Sequence, residues 1–209
     1  STQAEPRYSN STTPIVAIKG GTTAAGAKAA SSHTGSLAGT AAVYRAAFAQ
    51  AGILQARTLG AFTAWSRALA HQPPARGRRI AIVTNAGGPG VLAADACGRY
   101  GLELAVLRER TMAALDEVLP PVWSRNNPVD VIGDATPARY RETLRILGDA
   151  EEVDGVVLLM TVQAMTAPKE TAEAILAAVR GWDKPILASF IGLIGTEVGS
   201  HLDAHGIPE

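Results

Sequence analysis

Hydrophobic positions follow one rhythm in the first third of the chain and another in the rest. PIVAIK (Pro14–Lys19) is short and β-branched, which predicts a buried strand. The run after it, GGTTAAGAKAASSHTGSLAG, has no apolar periodicity, and its Gly, Ala and Ser content reads as a loop too flexible to be helical throughout. Helical spacing then appears in TAAVYRAAFAQAG (Thr40–Gly52), with Thr40 near its start and Gly52 as its stop. A second helix is predicted over LGAFTAWSRALAH (Leu59–His71). Residues 1–13 are polar and aperiodic, a tail or a severed linker.

The Pro/Gly-rich, charged segment QPPARGRR (Gln72–Arg79) marks a boundary, and a regular alternation begins beyond it. RIAIVTNA is a predicted strand and GGPG opens the helix VLAADACGRYG. LELAVL, VDGVVLLM and PILASFIG are further strands, and NNPVDVIG is a short strand or loop. TMAALDEVL, PARYRETLRILGD, KETAEAILAAVRG and TEVGSHLDAHG are the helices between and after them. Strands alternating with helices over short connections predict an α/β protein with parallel sheets carrying helices on both faces. The expected division is residues 14–71, a linker at 72–79, and a flavodoxin-like unit at 80–209. The last residues, HGIPE, stand where another strand is expected to begin, so the first unit reads as partial and the second as nearly complete.

Composition narrows the function classes. Apolar residues are 47% of the 209, enough for a sizeable core, and only 5% are aromatic, which suits close helix–sheet packing. The net charge of zero hides an asymmetry: no acid lies between Glu5 and Asp95, giving nine Lys/Arg against one acid before Asp95 and ten against eighteen from there on. A basic first part favours an anionic ligand, or docking of two complementary units. There is no dense Lys/Arg run or nucleic-acid motif, so nucleic acid is not an expected partner. The single cysteine, Cys97, excludes an internal disulfide and reads as a buried thiol. No apolar run of about 18 residues predicts a membrane span, no leader is evident, and the expected location is cytoplasmic.

Two loops carry candidate chemistry. TNAGGPGV (Thr84–Val91) lies where a strand turns into a helix, and in open α/β sheets ligands bind beyond the carboxyl ends of strands. Gly87, Gly88 and Gly90 let a ligand approach the backbone, and Pro89 suits a first helical turn. Asn85, Ala86 and these glycines are therefore candidate phosphate-binding positions, with a plain tight turn as the alternative. The loop lacks G-x-G-x-x-G spacing, so it is no dinucleotide fingerprint. In the upstream loop Gly21 and Gly26 have Walker A spacing, but Ala27 replaces the required lysine. In SSHTGSLAG (Ser31–Gly39), His33 stands among small polar residues, where a part-neutral imidazole serves as nucleophile or base; a hydrogen-bonded surface histidine is the alternative. Neither Ser32 nor Ser36 lies in a nucleophile elbow. His71, His201 and His205 are scattered and form no metal motif, so no metal site is expected.

Together these residues resemble a known family. PIVAIKGGTTAAGAKAASSHTGSLAG, followed by AVYRAAFAQAGI, is similar to the histidine segment of NDP-forming (ADP-forming) acyl-CoA synthetases. AIVTNAGGPGVLAADAC, NNPVDVIGDATPARYRETL and VDGVVLLMTVQAMT resemble the next subdomain of those enzymes, and more distantly a domain of the succinyl-CoA synthetase β subunit. The resemblance covers about Pro14 to Glu209. It implies an acid–thiol ligase that interconverts acyl-CoA, ADP and phosphate with a carboxylic acid, CoA and ATP through a phosphohistidine at His33. It further implies that Asn85–Gly90, with Gly35 and Ser36, faces the phosphoryl group, and that Asn127 and Asp130 of the NPVD segment line the site. For Asp130 the residues equally fit a loop carboxylate bonding its own backbone. The resemblance places the carboxylate partner of His33 outside this chain, together with the CoA-binding and ATP-grasp domains or subunits.

No covalent cofactor is implied; CoA, ATP/ADP and Mg²⁺ are expected in the full enzyme, mainly bound outside this chain, and an oligomer is expected. Two other function classes remain open at this point. One is a non-catalytic, ligand-sensing copy, for example attached to a protein acetyltransferase. The other is a plain small-molecule binding module of flavodoxin-like fold. Retention of His33 favours the enzyme.

Overall fold

The computed structural model describes residues 13–34, 40–192 and 195–209, the side chains of 33, 34, 195 and 196 excepted. They form two compact units, which divide between Leu69 and Ala70.

The first unit begins with β1 (Val16–Ile18), which pairs in parallel with β2 (Leu54–Ala56), Val16 opposite Leu54. Between them lie α1 (Ala24–Thr34) and α2 (Ala41–Gln50), and α3 (Leu59–His71) follows. The loop expected after β1 is therefore helical over 24–34. Alanine-rich sequence has high intrinsic helix propensity, and Thr23 starts the helix by accepting from Gly26 N–H at 3.1 Å. Gly52, at φ 69°, ends α2 as expected, because its left-handed turn lets Ile53 N–H reach back to the Phe48 carbonyl at 2.8 Å. Strand β2 is not legible in the sequence, because three residues are too few to show alternation. Among the described residues of this unit only Ala56 is a fully buried hydrophobic, while Ile15, Ile18, Val43, Tyr44, Leu59 and Trp65 are exposed. Two strands cannot bury three helices.

The second unit runs β3 (Arg79–Thr84), α4 (Gly87–Arg99), β4 (Glu103–Leu104), α5 (Glu109–Val118), β5 (Val129–Asp130), α6 (Pro137–Asp149), β6 (Gly155–Thr161), α7 (Pro168–Ala178), β7 (Ile186–Ile191) and α8 (Gly195–Ala204). Every pairing is parallel, and the order is β4-β3-β6-β7 with β5 also on β3. β6 occupies one edge of β3 from Ile80 to Thr84. β4 and β5 share the other edge: β4 meets Arg79 and Ile80, and β5 meets Val83 and Thr84.

Alternation along the strands sends side chains to two unequal layers. Ala81, Val83, Val156, Leu158, Met160, Ile186 and Phe190 join the large core with Leu115 of α5, Leu144 and Leu147 of α6, Ile175 of α7 and Leu202 of α8. Ile80, Ile82, Val157 and Leu159 face the other way, against Cys97, Ala93 and Ala94 of α4. Helices thus cover both faces, four on one and one on the other, and Leu187 and Ile191 of β7 remain about 40% exposed. No helix among the described residues is long and apolar enough to cross a membrane.

The amino-terminal end of this sheet is held by charge. Asp154, 7% exposed, accepts from Arg79 N–H and Nε at 2.9 Å and from its Nη2 at 2.8 Å. Those bonds, chiefly from the guanidinium, hold the Asp154 carboxyl below its ordinary range.

Candidate functional site at the carboxyl edge of the second sheet

The carboxyl ends of β3, β5 and β6 meet at one edge, and side-chain amides set their register. Asn85 is buried, and its amide donates to the Thr161 carbonyl at 3.0 Å while accepting from Thr161 N–H at 2.7 Å. This pair continues the β3–β6 ladder by one side chain. On the opposite edge, Asn127 fills the gap between β4 and β5. Its Oδ1 accepts from Ile82 N–H at 2.9 Å, and its Nδ2 donates to the carbonyls of Ile80 at 2.8 Å and Ala105 at 3.1 Å. Asn127, expected to line a site, spends its whole amide on the sheet.

With both asparagines committed, the loop offers its backbone. Ala86 is the N-cap of α4 in extended geometry, and no side chain caps the helix. Gly87 and Gly88 N–H therefore lack the intrahelical partners that only later turns provide, and there is no acid in the first turn. A Cβ at Gly87 or Gly88 would meet nothing within 4 Å among the described residues, and both glycines are exposed. Gly90 is different: a Cβ there would lie 3.0 Å from Thr84 Cγ2 and 3.5 Å from Pro128, so this glycine serves the close packing of α4 on the sheet. Thr84 Oγ1 fixes the turn by accepting from Ala86 N–H at 3.1 Å and donating to its carbonyl at 2.9 Å. The result is a rigid, uncapped, acid-free helix start, a geometry that accepts an anion.

The loop after β5 is pinned as firmly. Asp130 Oδ1 accepts from Ile132 N–H at 2.8 Å, the local bonding that its position in a loop allows. Ile132 itself has φ +68°, a costly conformation for a β-branched residue. Arg139 Nη1 holds it by donating to the Val131 carbonyl at 2.9 Å and to Asp134 Oδ1 at 2.7 Å. The guanidinium lowers the Asp134 carboxyl below its usual range. Beneath this loop Tyr140 is fully buried with no hydrogen-bond partner for its hydroxyl among the described residues, and burial, aided by Asp130, pushes its ionisation up.

After β6 the chain turns through Gln163, where Thr166 Oγ1 accepts from Gln163 N–H at 2.9 Å and donates to its carbonyl at 2.8 Å. A Cβ built on Gly133 would lie 3.5 Å from Gln163 Oε1 and 3.9 Å from the Asn85 carbonyl, so the three loops converge there. Nothing in the local sequence marks Gly133 and Gln163 as neighbours; their meeting depends on strand order.

The remaining candidates belong to the first unit. His33 sits in the last turn of α1, in a helix instead of the expected loop. Gly35 and Ser36 lie outside the described residues. Among the described residues no group of His, Cys, Asp and Glu is arranged to hold a metal ion, and Cys97 is buried with its thiol pushed up by desolvation.

Comparison with known proteins agrees with these two units. Residues 3–69 match the succinyl-CoA ligase like flavodoxin domain, and residues 80–209 match the Ligase-CoA domain. The α subunit of the ADP-forming acetate–CoA ligase II of Pyrococcus furiosus is 42% identical over 93% of this chain and 44% of its own length. The ADP-forming acetate–CoA ligase of Methanocaldococcus jannaschii is 41% identical over 93% of this chain and 28% of its own. The acetyl-coenzyme A synthetase 1 of Ca. Korarchaeum cryptofilum, solved in complex with phosphate and ADP, superposes with a TM-score of 0.86 at 34% identity, covering 93% of this chain and 42% of that one. The chain thus spans less than half the length of these relatives. By the match over residues 80–209, more than half of its length, the chain belongs to the Ligase-CoA domain family.

Proposed function

We propose that this chain is the phosphoryl-handling part of an ADP-forming acyl-CoA synthetase. The observation that carries the reading is the start of α4: exposed, uncapped, without an acid, and fixed at the carboxyl edge by Asn85 and Thr84. His33 is the proposed nucleophile, and the N–H groups of Gly87 and Gly88 the proposed donors to its phosphoryl group, with Gly35 and Ser36 beside His33. Orthophosphate first displaces CoA from the thioester, giving an acyl phosphate. A ring nitrogen of His33 then attacks phosphorus, the bond to the acyl oxygen breaks, and the carboxylate leaves. A terminal oxygen of ADP attacks next, the N–P bond breaks, and ATP forms with His33 restored. Donors that need no reorganisation favour the charge that develops at the phosphoryl oxygens.

In this reading residues 14–71 complete a domain that begins upstream, 72–79 connect it, and 80–209 form the second CoA-ligase domain. CoA, nucleotide and the carboxylate that orients His33 are assigned to partner domains or subunits of a cytoplasmic enzyme. Asn127 is assigned to the sheet. Mg²⁺ would neutralise the nucleotide phosphates, and no residue described here is assigned to it.

The test is labelling of the full-length protein with [γ-³²P]ATP and Mg²⁺, wild type against His33→Ala. Acid-labile, base-stable label that vanishes in the variant is the expected result. Equal label in both, or none in a protein shown to bind nucleotide and CoA, rejects the relay and leaves a ligand-sensing copy.

A further inference from the structure

We propose that residues 72–79 are a strap fastened across the amino-terminal end of the second sheet, with Gln72 as its clasp, so that bending between the two units takes place ahead of Gln72 and not within this segment. The inference goes beyond the phosphohistidine reading and does not rest on it. QPPARGRR has the Pro, Gly and charge content of a free connector, and Pro74 to Arg78 are exposed. Its attachments are those of a fixed element.

The segment meets the strand entries one after another. Gln72 is half-buried and commits both ends of its amide: Oε1 accepts from Ile186 N–H at the start of β7 at 2.6 Å, and Nε2 donates to the Gly206 carbonyl at 2.6 Å. The stretch after Gly206 is itself tied to β7, where Ala188 N–H donates to the Pro208 carbonyl at 3.0 Å. Arg76 Nη2 donates to Asp183 Oδ2 at 2.6 Å, just ahead of β7. Gly77 lies against Asp154, which leads into β6, and the Arg78 carbonyl accepts from Glu103 N–H of β4 at 2.9 Å. Arg79 then opens β3 on the Asp154 carboxylate. Because the strand order is β4-β3-β6-β7, these attachments cross the sheet from one side to the other.

The reach leaves little slack. Strands about 4.8 Å apart put β7 and β4 about 14 Å from each other. The chain from Gln72 to Arg78 extends at most about 20 Å, and Pro73 and Pro74, with φ near about −65°, keep its start extended. Glycine is required where the strap passes β6, since a Cβ at Gly77 would run into the Asp154 carboxylate that anchors Arg79. The attachments are unequal. Arg76 and Asp183 are both exposed, and such pairs contribute little. Gln72 pairs two backbone groups from a half-buried position, which makes it the clasp.

The experiment is limited trypsin digestion of the full-length protein, with fragment ends identified by mass spectrometry. Exposed, unattached connectors are preferred sites of nicking, and the rate follows the open population when opening is fast. Cuts after Arg76 and Arg78 report on the strap, and cuts after Arg145 of α6 report on opening of the whole unit. In the wild type, Arg76 and Arg78 are expected to be cut no faster than Arg145. Gln72→Ala is expected to speed the strap cuts about tenfold or more, with Arg145 within about twofold. Gly77→Ala, which drives a methyl group against Asp154, is expected to give the same selective gain. Preferential cutting after Arg76 or Arg78 in the wild type overturns the inference. So does a strap rate within twofold of wild type in either variant, or an equal acceleration at Arg145, which would assign Gln72 to the stability of the whole unit instead.

Discussion

Replacing Asn127 by alanine tests whether that residue belongs to the sheet or to the chemistry. The amide makes three bonds of 2.8–3.1 Å inside the β3 edge, to Ile82 N–H and to the carbonyls of Ile80 and Ala105. It is 6% exposed, so water does not freely replace it. Each such bond is worth about 1 kcal/mol net, and a buried donor left unpaired costs about 1–3 kcal/mol. Alanine removes all three and strands the Ile82 N–H between β4 and β5, where no backbone carbonyl replaces Oδ1. The expected loss for the second unit is therefore about 3 kcal/mol. At an m-value of about 1–3 kcal/mol/M the urea midpoint falls by about 1 M or more. Amide exchange gives the local readout: Ile82 N–H loses protection first, ahead of neighbours on the β6 edge. His33 labelling is expected to persist at temperatures where the variant stays folded. A shift under about 0.5 kcal/mol with Ile82 still protected would refute the bridging argument, and loss of label in a fully stable variant would return Asn127 to the site.

Two further outcomes follow from the same geometry. Gly88→Ala adds a Cβ that meets nothing within 4 Å among the described residues, so stability is expected to hold or rise by up to about 1 kcal/mol in thermal melts, while phosphate binding weakens because the methyl group occupies the approach to the helix start. If phosphate binding is unchanged, the anion does not approach there. Asp154 is held below its ordinary pKa, mainly by the Arg79 guanidinium. Its contribution is fully present above the unfolded value of about 3.9 and is lost as pH falls through the lower folded value. Melting temperature of the wild type should therefore drop on acidification below about pH 4. Asp154→Asn should melt lower at pH 7 and show a shallower acid limb; parallel curves for the two proteins would rule out this coupling.

Local information was enough for one helix of the first unit and much of the second. Helices α3 and α6 have the bounds that their apolar spacing predicts, because each carries its own start: Thr58 Oγ1 accepts from Ala61 N–H, and Thr136 Oγ1 from Arg139 N–H ahead of Pro137. Strands β3 and β6 are runs rich in β-branched residues between turn residues, and their hydrophobicity matches burial in a parallel sheet, while β7 alternates between buried and exposed positions. The first unit was less legible. A Gly/Ala/Ser run fits loop and helix alike until a Thr23 cap and five well-placed alanines settle α1. β2 exists because β1 is there to pair with it.

Short-range pattern is enough for the α/β class and for the glycine-bearing turn that opens α4, since each is written in residues a few positions apart. What the polar side chains of that edge do is set by long-range packing. Asn85 and Asn127 read alike as site residues, yet one bonds a strand 76 residues away and the other a strand 45 residues away. Gln163 reads as an ordinary loop residue, and meets Gly133 only because β5 and β6 flank β3. Hydrogen-bond partners so distant in sequence are set by strand order, and strand order is set by burial of the whole sheet.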